Sequence, residues 1–397
     1  MNIISYAFNI ETYGAGANQA THPSVLCFDK PWNGFKYYMA YTPYPYGQGA
    51  MENPSLCASN DLVNWNTPEG LINPIASADE HYTDELKDTH LVFNCDLDQI
   101  EIWYLGRYRT SLANNGTLCV YRKISKDGVN WSPFEEVFRY NDFKMVSPSV
   151  LYYAHAYHFW GIRNDEEEIA LYYMNSNNAL KWSVLQKCEV PDAVKTGMWH
   201  GCVYKSNADK YYFVWMGHKS ILNAKNSNEQ NIMISESLDG HTFSDAKILV
   251  KNKNWDYFYR PCFFIIDQIY YCIYGVVRSD GAWYISQSHG TDLKEMKELE
   301  YSNGYIKSIT RGSVFRTIKN SVLINNKLTV FITFIASVLL HFFSNSIIAS
   351  SLTCLLFLLL NINCICSRAR FVKYLLQGLL IDIITVYIFS FISQLFL

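Results

Sequence analysis

Short apolar runs bounded by Asp, Asn and Gly fill the chain from about residue 15 to about residue 300. Their brevity and alternation predict β-strands joined by tight turns, not helices. One turn recurs. It closes the stretch MENPSLCASNDLVNW (Met51–Trp65) and returns as SKDGVNW (Ser125–Trp131), SNNALKW (Ser176–Trp182), SLDGHTF (Ser237–Phe243) and, two residues longer, SHGTDLKEM (Ser288–Met296). Each copy offers Asp, Asn or Gly where a turn needs a positive φ. Self-similarity at a steady spacing is the mark of a repeat architecture.

Two further landmarks repeat ahead of each turn. The first strand of each unit reads His22-Pro23-Ser24-Val25-Leu26, Asp88-Thr89-His90-Leu91-Val92, Ser147-Pro148-Ser149-Val150-Leu151, His200-Gly201-Cys202-Val203-Tyr204 and Arg260-Pro261-Cys262-Phe263-Phe264. The second covers Tyr37–Thr42, Ile102–Arg107, Tyr157–Arg163, Tyr211–His218 and Ile269–Arg278, the third leads into the turn, and a fourth is expected to begin at its aromatic (Trp65, Trp131, Trp182, Phe243). Five units of four strands predict an all-β fold: a five-bladed β-propeller over residues 1–300, with four-stranded blades around a channel. A β-sandwich would not require three aligned landmarks in every unit.

The propeller orders the polar residues. Alternate side chains of an innermost strand share one face, so His22, Asp88 and His90, Ser147, His200 and Arg260 are expected to line the channel. Second strands end beside the starts of the first, bringing Tyr44, Arg107, Arg163, His218 and Arg278 to the same mouth, with Glu52 opening a third strand there. The Arg and His set (Arg107, Arg163, His200, His218, Arg260, Arg278) suits an anionic ligand, because guanidinium forks pair with carboxylate or phosphate. Tyr44, Tyr46, Trp199, Tyr257 and Tyr259 offer flat surfaces for a sugar ring. The alternative at each position is a side chain that only fills or caps the channel. His22, Asp88, His90 and His200 are metal-ligand types, but their spacing forms no local motif. No metal and no cofactor is assigned, and satisfied channel histidines are the expectation.

Composition changes the picture at the end of the chain. No Asp, Glu, Lys or Arg occurs from Leu328 to Cys366. That run predicts membrane-spanning helices at about 328–343 and 347–366, and a third apolar stretch covers about 374–396. Residues 301–327 form a basic linker containing Lys307, Arg311, Arg316, Lys319 and Lys327. Basic residues flanking the first pair of spans predict a multi-pass C-terminal membrane tail with the propeller on the cytoplasmic side. The first residues lack the pattern of a signal peptide. Cysteines without CxxC spacing suit a reducing compartment. A net charge of -3 argues against nucleic acid as a partner.

Inner strands opening with His-Pro-Ser or Ser-Pro-Ser, together with the Ser-x-Asp turns, resemble the five-bladed propeller superfamily of glycoside hydrolase families 43 and 32 and the family-130 mannoside phosphorylases. The stretch from Trp32 to Trp65 is also similar to propeller proteins of bacteria and their phages. The resemblance covers about residues 15 to 300. It implies the fold and a glycan or sugar phosphate as partner. In family 43 it implies three carboxylates, whose positions here are held by His22, His90 and Val146, so the usual triad is absent. In family 130 it implies a proton-donating Asp at the start of the second blade, matched by Asp88, although Thr89 and His90 stand where that family carries Pro and Arg. Asp88 and Glu52, with Asp165, are the rim carboxylates left for acid–base work.

Two expectations follow. One is a membrane-anchored enzyme, hydrolase-like or phosphorylase-like, acting on an anionic or phosphate-bearing glycan of a surface polysaccharide, with Asp88, Glu52, His22 and His90 as catalytic candidates. The other is a lectin-like propeller that binds a glycan or partner without turnover.

Overall fold

The computed structural model describes residues 4–307 apart from 6, 9, 82, 84, 109–116, 141–144, 166, 218–229, 253–254, 279, 295, 299 and 303–304. The chain is a five-bladed β-propeller. Blade 1 is Ala20–Trp32, Phe35–Pro43 and Ser55–Ser59; blade 2 is Glu85–Asn94, Gln99–Tyr108, Thr117–Ser125 and Glu135–Tyr140. Blade 3 is Met145–Tyr153, Ala156–Asn164, Ile169–Ser176 and Gln186–Lys187; blade 4 is Met198–Lys205, Tyr211–Gly217, Ile232–Ser237 and Lys247–Val250. Blade 5 is Tyr257–Ile266, Ile269–Val277, Trp283–Gly290 and Lys297–Glu298. Every pairing within a blade is antiparallel. The first strands touch in succession and the fifth returns to the first, closing the ring.

Fourth strands do not begin at the turn aromatic. They start several residues later, and in blade 1 only a single bridge, Ala58 to Asn66, marks the fourth position. The aromatics are otherwise engaged. Trp65 and Phe243 are buried in the seams between blades.

Buried apolar side chains fill each gap between neighbouring blades. Tyr38, Ala40 and Leu56 meet Leu86, Leu91 and Tyr104 between blades 1 and 2, while Met39, Tyr41 and Cys57 point the other way to Phe264, Ile273 and Ile285 of blade 5. A sheet buried on both faces needs apolar residues at consecutive positions, hence runs such as Tyr211–Gly217, buried throughout.

The recurring turn is a side-chain-built loop. In the second copy Asp127 Oδ1 accepts the backbone N–H groups of Val129 and Asn130 at 2.9 and 2.7 Å, and Ser125 Oγ accepts that of Gly128 at 2.9 Å. The two bonds to the Asp or Asn oxygen recur around Asp61, Asn178 and Asp239, and the Ser bond recurs from Ser59 and Ser237. The residue after the Asp or Asn is left-handed in all four: Leu62, Gly128, Ala179 and Gly240. These turns also join blades, since Trp160 Nε1 of blade 3 donates to Gly240 O of blade 4 at 2.9 Å.

Among the described residues no helix is long and apolar enough to cross a membrane. Of the expected linker only 301–302 and 305–307 are described, within the short strands Glu300–Ser302 and Tyr305–Lys307; the rest of it and the spans expected at 328–343, 347–366 and 374–396 lie outside the described residues.

Candidate functional site

An innermost strand has no ladder partner on its channel side, so its N–H groups must bond elsewhere. Side chains of the adjacent inner strand supply the acceptors. Ser24 Oγ accepts from Leu91 N at 2.9 Å, Ser149 Oγ from Val203 N at 2.8 Å, and Asp88 Oδ2 from Ser147 N at 2.9 Å. Ser24 and Ser149, the third residues of the His-Pro-Ser and Ser-Pro-Ser openings, are therefore struts of the ring.

Each inner strand also loses register against its second strand at one level: between Thr21 and Ser24, Lys87 and His90, Val146 and Ser149, Met198 and His200, and Tyr259 and Pro261. A bulge re-aims side chains. At these breaks His22, Asp88, Ser147 and Arg260 all adopt positive φ, at 54, 54, 55 and 27°. Each such conformation in a non-glycine residue costs of order 1–3 kcal/mol, and it persists only where surrounding contacts impose it. The ring thus holds four strained residues at one depth, and they converge.

They meet around Asp88. His22 Nε2 stands 3.1 Å from Asp88 Oδ1, Arg260 Nη1 3.4 Å, and His200 Nδ1 3.6 Å. His200 Nδ1 also bonds Ser147 Oγ at 2.7 Å, His22 Nδ1 bonds Thr42 Oγ1 at 2.8 Å, and Arg260 Nη2 donates to Pro148 O at 3.0 Å. Glu52 Oε2 is 3.5 Å from His22 Nδ1. The ring of Tyr259 lies against both imidazoles, 5.1 Å from His22 and 4.4 Å from His200. Every one of His22, Glu52, Asp88, His200 and Arg260 is buried.

Burial alone would raise the Asp88 pKa, but His200, His22 and Arg260 outweigh it and hold the carboxyl well below its usual range. Burial drives His22 down to about 3 and His200 also well down, so both imidazoles are neutral at pH 7. Burial pushes the Glu52 carboxyl well up. An ionised Asp88 is suited to being a ligand rather than a proton donor.

Five atoms of this cluster have no hydrogen-bond partner: His22 Nε2, Asp88 Oδ1, His200 Nε2, Glu52 Oε2 and Arg260 Nη1. Ligand atoms from His22, Asp88 and His200 lie within 4.8 Å of one another. Two neutral imidazoles and one carboxylate, all buried and with His22 Nε2 and Asp88 Oδ1 unbonded, fit a divalent cation of the zinc or manganese kind. This departs from the expectation of satisfied channel histidines. Strand order hid the site, because its ligands come from three different blades.

A pocket of about 520 Å³ opens above Glu52, lined by Tyr44, Gly49, Glu85, Lys87, Arg107 and Tyr259 among others. Lys87 and Arg107 share one carboxylate, Glu85, at 2.8 and 3.4 Å. Tyr44, Tyr257 and Tyr259 pack edge-on to Trp283, with centroids 4.8, 5.9 and 5.1 Å away. These half-exposed rings form one wall beside the cluster. Glu85, Lys87 and Trp283 are not among the site residues expected from sequence, whereas Tyr44 and Tyr259, expected as flat surfaces for a sugar, both line this pocket. For Glu85 and Lys87 the signal was present: they precede Asp88 on its own strand.

The rim differs from the expected cationic ring. Arg163 is bound within its own blade by Asp165, Glu167 and Glu168 at 2.8, 2.7 and 3.4 Å, which also removes Asp165 from the rim carboxylates. Arg278 pairs with Asp280. Arg260 is buried inside the channel, where its place in the inner strand puts it. Trp199 packs its ring 5.1 Å from His200. His218 lies outside the described residues. His90 is not gathered with the other catalytic candidates. Its Nε2 bonds Val150 O at 3.0 Å, and it lines a separate chamber of about 610 Å³ formed by the later residues of the inner strands.

No family model matches the chain. It is 35% identical over 114 residues to the A type blood N-acetyl-alpha-D-galactosamine deacetylase of Flavonifractor plautii, a match spanning 29% of this chain and 14% of that relative. A crystal structure of an N-acetylgalactosamine deacetylase from F. plautii with blood group B trisaccharide is similar at a TM-score of 0.61 and 19% identity, over 72% of this chain and 94% of that one. A thermostable family-43 glycoside hydrolase is similar at a TM-score of 0.52 and 13% identity, over 75% and 95% of the two chains. At these identities the structural likeness is one of fold. The chain is a five-bladed β-propeller resembling sugar-acting propellers, as its likeness to the family-43 hydrolases implied.

Proposed function

We propose that this propeller removes an acetyl group from an N-acetylated amino sugar of a glycan, with a divalent cation held by His22, Asp88 and His200. The observation that carries this reading is the convergence of ligand atoms from His22, Asp88 and His200, with His22 Nε2 and Asp88 Oδ1 unbonded, beside a pocket with an aromatic wall. The stretch of 35% identity to a deacetylase of N-acetyl-α-D-galactosamine supports the choice of bond. The missing family-43 carboxylates count against cleavage of a glycosidic bond by the usual pair.

A bound divalent cation would polarise an amide carbonyl and lower the pKa of a water. The residues of the chain do the rest. Thr42 fixes the His22 ring with Nε2 facing Asp88, and Ser147 fixes the His200 ring through Nδ1, the nitrogen that faces Asp88. Arg260 holds Asp88 ionised and in place. Glu52 lines the pocket with Oε2 unbonded; in its ionised form it is placed to take a proton from water and return it to the departing amine nitrogen. Tyr259 and Trp283 cover the apolar face of the sugar.

Two finer points belong to the same reading. The support for an acidic group, carboxylate or phosphate, on the glycan is the pair Lys87 and Arg107 sharing the single carboxylate Glu85. The support for a membrane tether on the cytoplasmic side is the charge-free run from Leu328 to Cys366 with its basic flanks.

The test is acetate release from a panel of N-acetylated oligosaccharides, with and without added zinc or manganese. Metal-dependent release, lost in Glu52→Gln, is the expected result. Binding without release would favour the lectin-like alternative, and neither binding nor release would sink both.

A further inference from the structure

We infer that Tyr46 is an outer sugar-binding platform that makes the site select an oligosaccharide over a single amino sugar; this rests on the reading of the site given above. Tyr46 sits between Tyr44 and Gly47, both of which line the pocket above Glu52, and its side chain is 63% exposed. Its backbone is left-handed, φ 48° and ψ 34°, a conformation that glycine adopts freely and an aromatic residue does not. The chain therefore keeps a large, water-exposed ring where local geometry favours no side chain at all.

The position is imposed from below. Gln19, 2% exposed, accepts through Oε1 from Tyr46 N at 2.9 Å and from Trp283 N at 3.0 Å. One buried carbonyl thus fixes the lip of the pocket and the aromatic wall in a single arrangement. Ring contacts run from His200 to Tyr259, from Tyr259 to Trp283 and from Trp283 to Tyr44, and Tyr46 follows Tyr44 two residues along the chain. Trp283 and Tyr259 flank the sugar that carries the acetamido group. Tyr46 is then placed for the apolar C–H face of the pyranose joined to it, and covering the ring with that face removes apolar surface from water.

The variants Tyr46→Gly and Tyr46→Phe separate this role from a structural one. Glycine suits the backbone, so Tyr46→Gly should unfold at the same or a higher temperature than the parent. The reading is the ratio of kcat/KM for acetate release from a tetrasaccharide ending in N-acetylgalactosamine to that from its methyl glycoside. Tyr46→Gly is expected to lower the ratio about tenfold, through KM, as loss of one stacking contact would. Tyr46→Phe is expected to keep it. An unchanged ratio in Tyr46→Gly overturns the proposal. If the parent releases no acetate from either compound, the deacetylase reading fails instead, and calorimetric titration with the tetrasaccharide decides the platform: equal affinities for parent and Tyr46→Gly overturn it.

Discussion

His22 Nε2 and Asp88 Oδ1 face each other across 3.1 Å, and neither makes a hydrogen bond. Two buried polar atoms so close and both unsatisfied are costly in a finished interior. They sit on strands of different blades, and each carries a strained backbone that aims it at the other. Such an arrangement is characteristic of a site preorganised for something that enters between them.

Asp88 is also the counter-ion of buried Arg260. Asp88→Asn is expected to lose metal binding and to lower unfolding stability by roughly 3–5 kcal/mol, the cost of leaving a buried charge without its partner. Urea unfolding measures it. A change below about 1 kcal/mol would mean that Arg260 is held by Pro148 O alone.

A second buried charge lies between blades 2 and 3. Glu101, fully buried, accepts from Gln99 Nε2, Trp103 Nε1, Tyr157 OH and Arg122 Nη1 at 2.9, 3.0, 2.6 and 3.2 Å. Glu101→Ala takes the shared acceptor from all four donors, leaving Arg122 with Glu135 and Tyr157 OH, and should cost about 3–5 kcal/mol. The double variant Glu101→Leu with Arg122→Met should recover much of that loss, since it removes both charges together. Additive losses in thermal unfolding would contradict the pairing.

The repeated turn gives a pH dependence. Its neighbours hold Asp127 down at about 2, chiefly the Asn130 side chain, and Asp239 down at about 2, chiefly the Thr242 N–H. A carboxyl with a lowered folded pKa adds stability above its unfolded value near 3.8, and that stability disappears as pH falls towards 2. Asn178 fills the same place in the third copy without a charge. Asp127→Asn is therefore expected to keep the turn and to flatten the acid limb of stability between about pH 4 and pH 2. An unaltered acid limb would contradict this.

Within that turn Gly128 has φ 76°, and a Cβ there would come within 2.9 Å of Tyr38 in blade 1. Gly14 has φ 52° and open space around it. Gly128→Ala should cost about 2–4 kcal/mol against about 1 kcal/mol for Gly14→Ala, because only the former adds a clash to the backbone penalty. Equal effects on thermal unfolding would mean that the turn does not press on blade 1.

The ring and its turns were legible because their signals are local: a Ser and an Asp or Asn two apart, and apolar runs of strand length. His22, Asp88, His200 and Arg260 were legible as channel residues from their place in each unit. Their mutual geometry was not, since it depends on bulges that shift register at one level. Pro23, Pro148 and Pro261 mark three of those bulges, and a residue without an N–H inside a strand is a usable sign of one. The rim failed for a different reason. Asp165, Glu167 and Glu168, and likewise Asp280, follow their arginines within a few residues, so the hairpin folds each cation onto its own acid. Like charges gathered at one mouth would repel, and local pairing avoids it.

The most direct test of the central claim is calorimetric titration of the metal-stripped protein with zinc or manganese, beside His22→Ala and His200→Ala. The account predicts a single saturable site in the parent that is lost in both variants, with a rise in unfolding temperature on binding. No saturable site in the parent, or one that survives both substitutions, would mean that Arg260 alone answers Asp88 and that the cluster is structural.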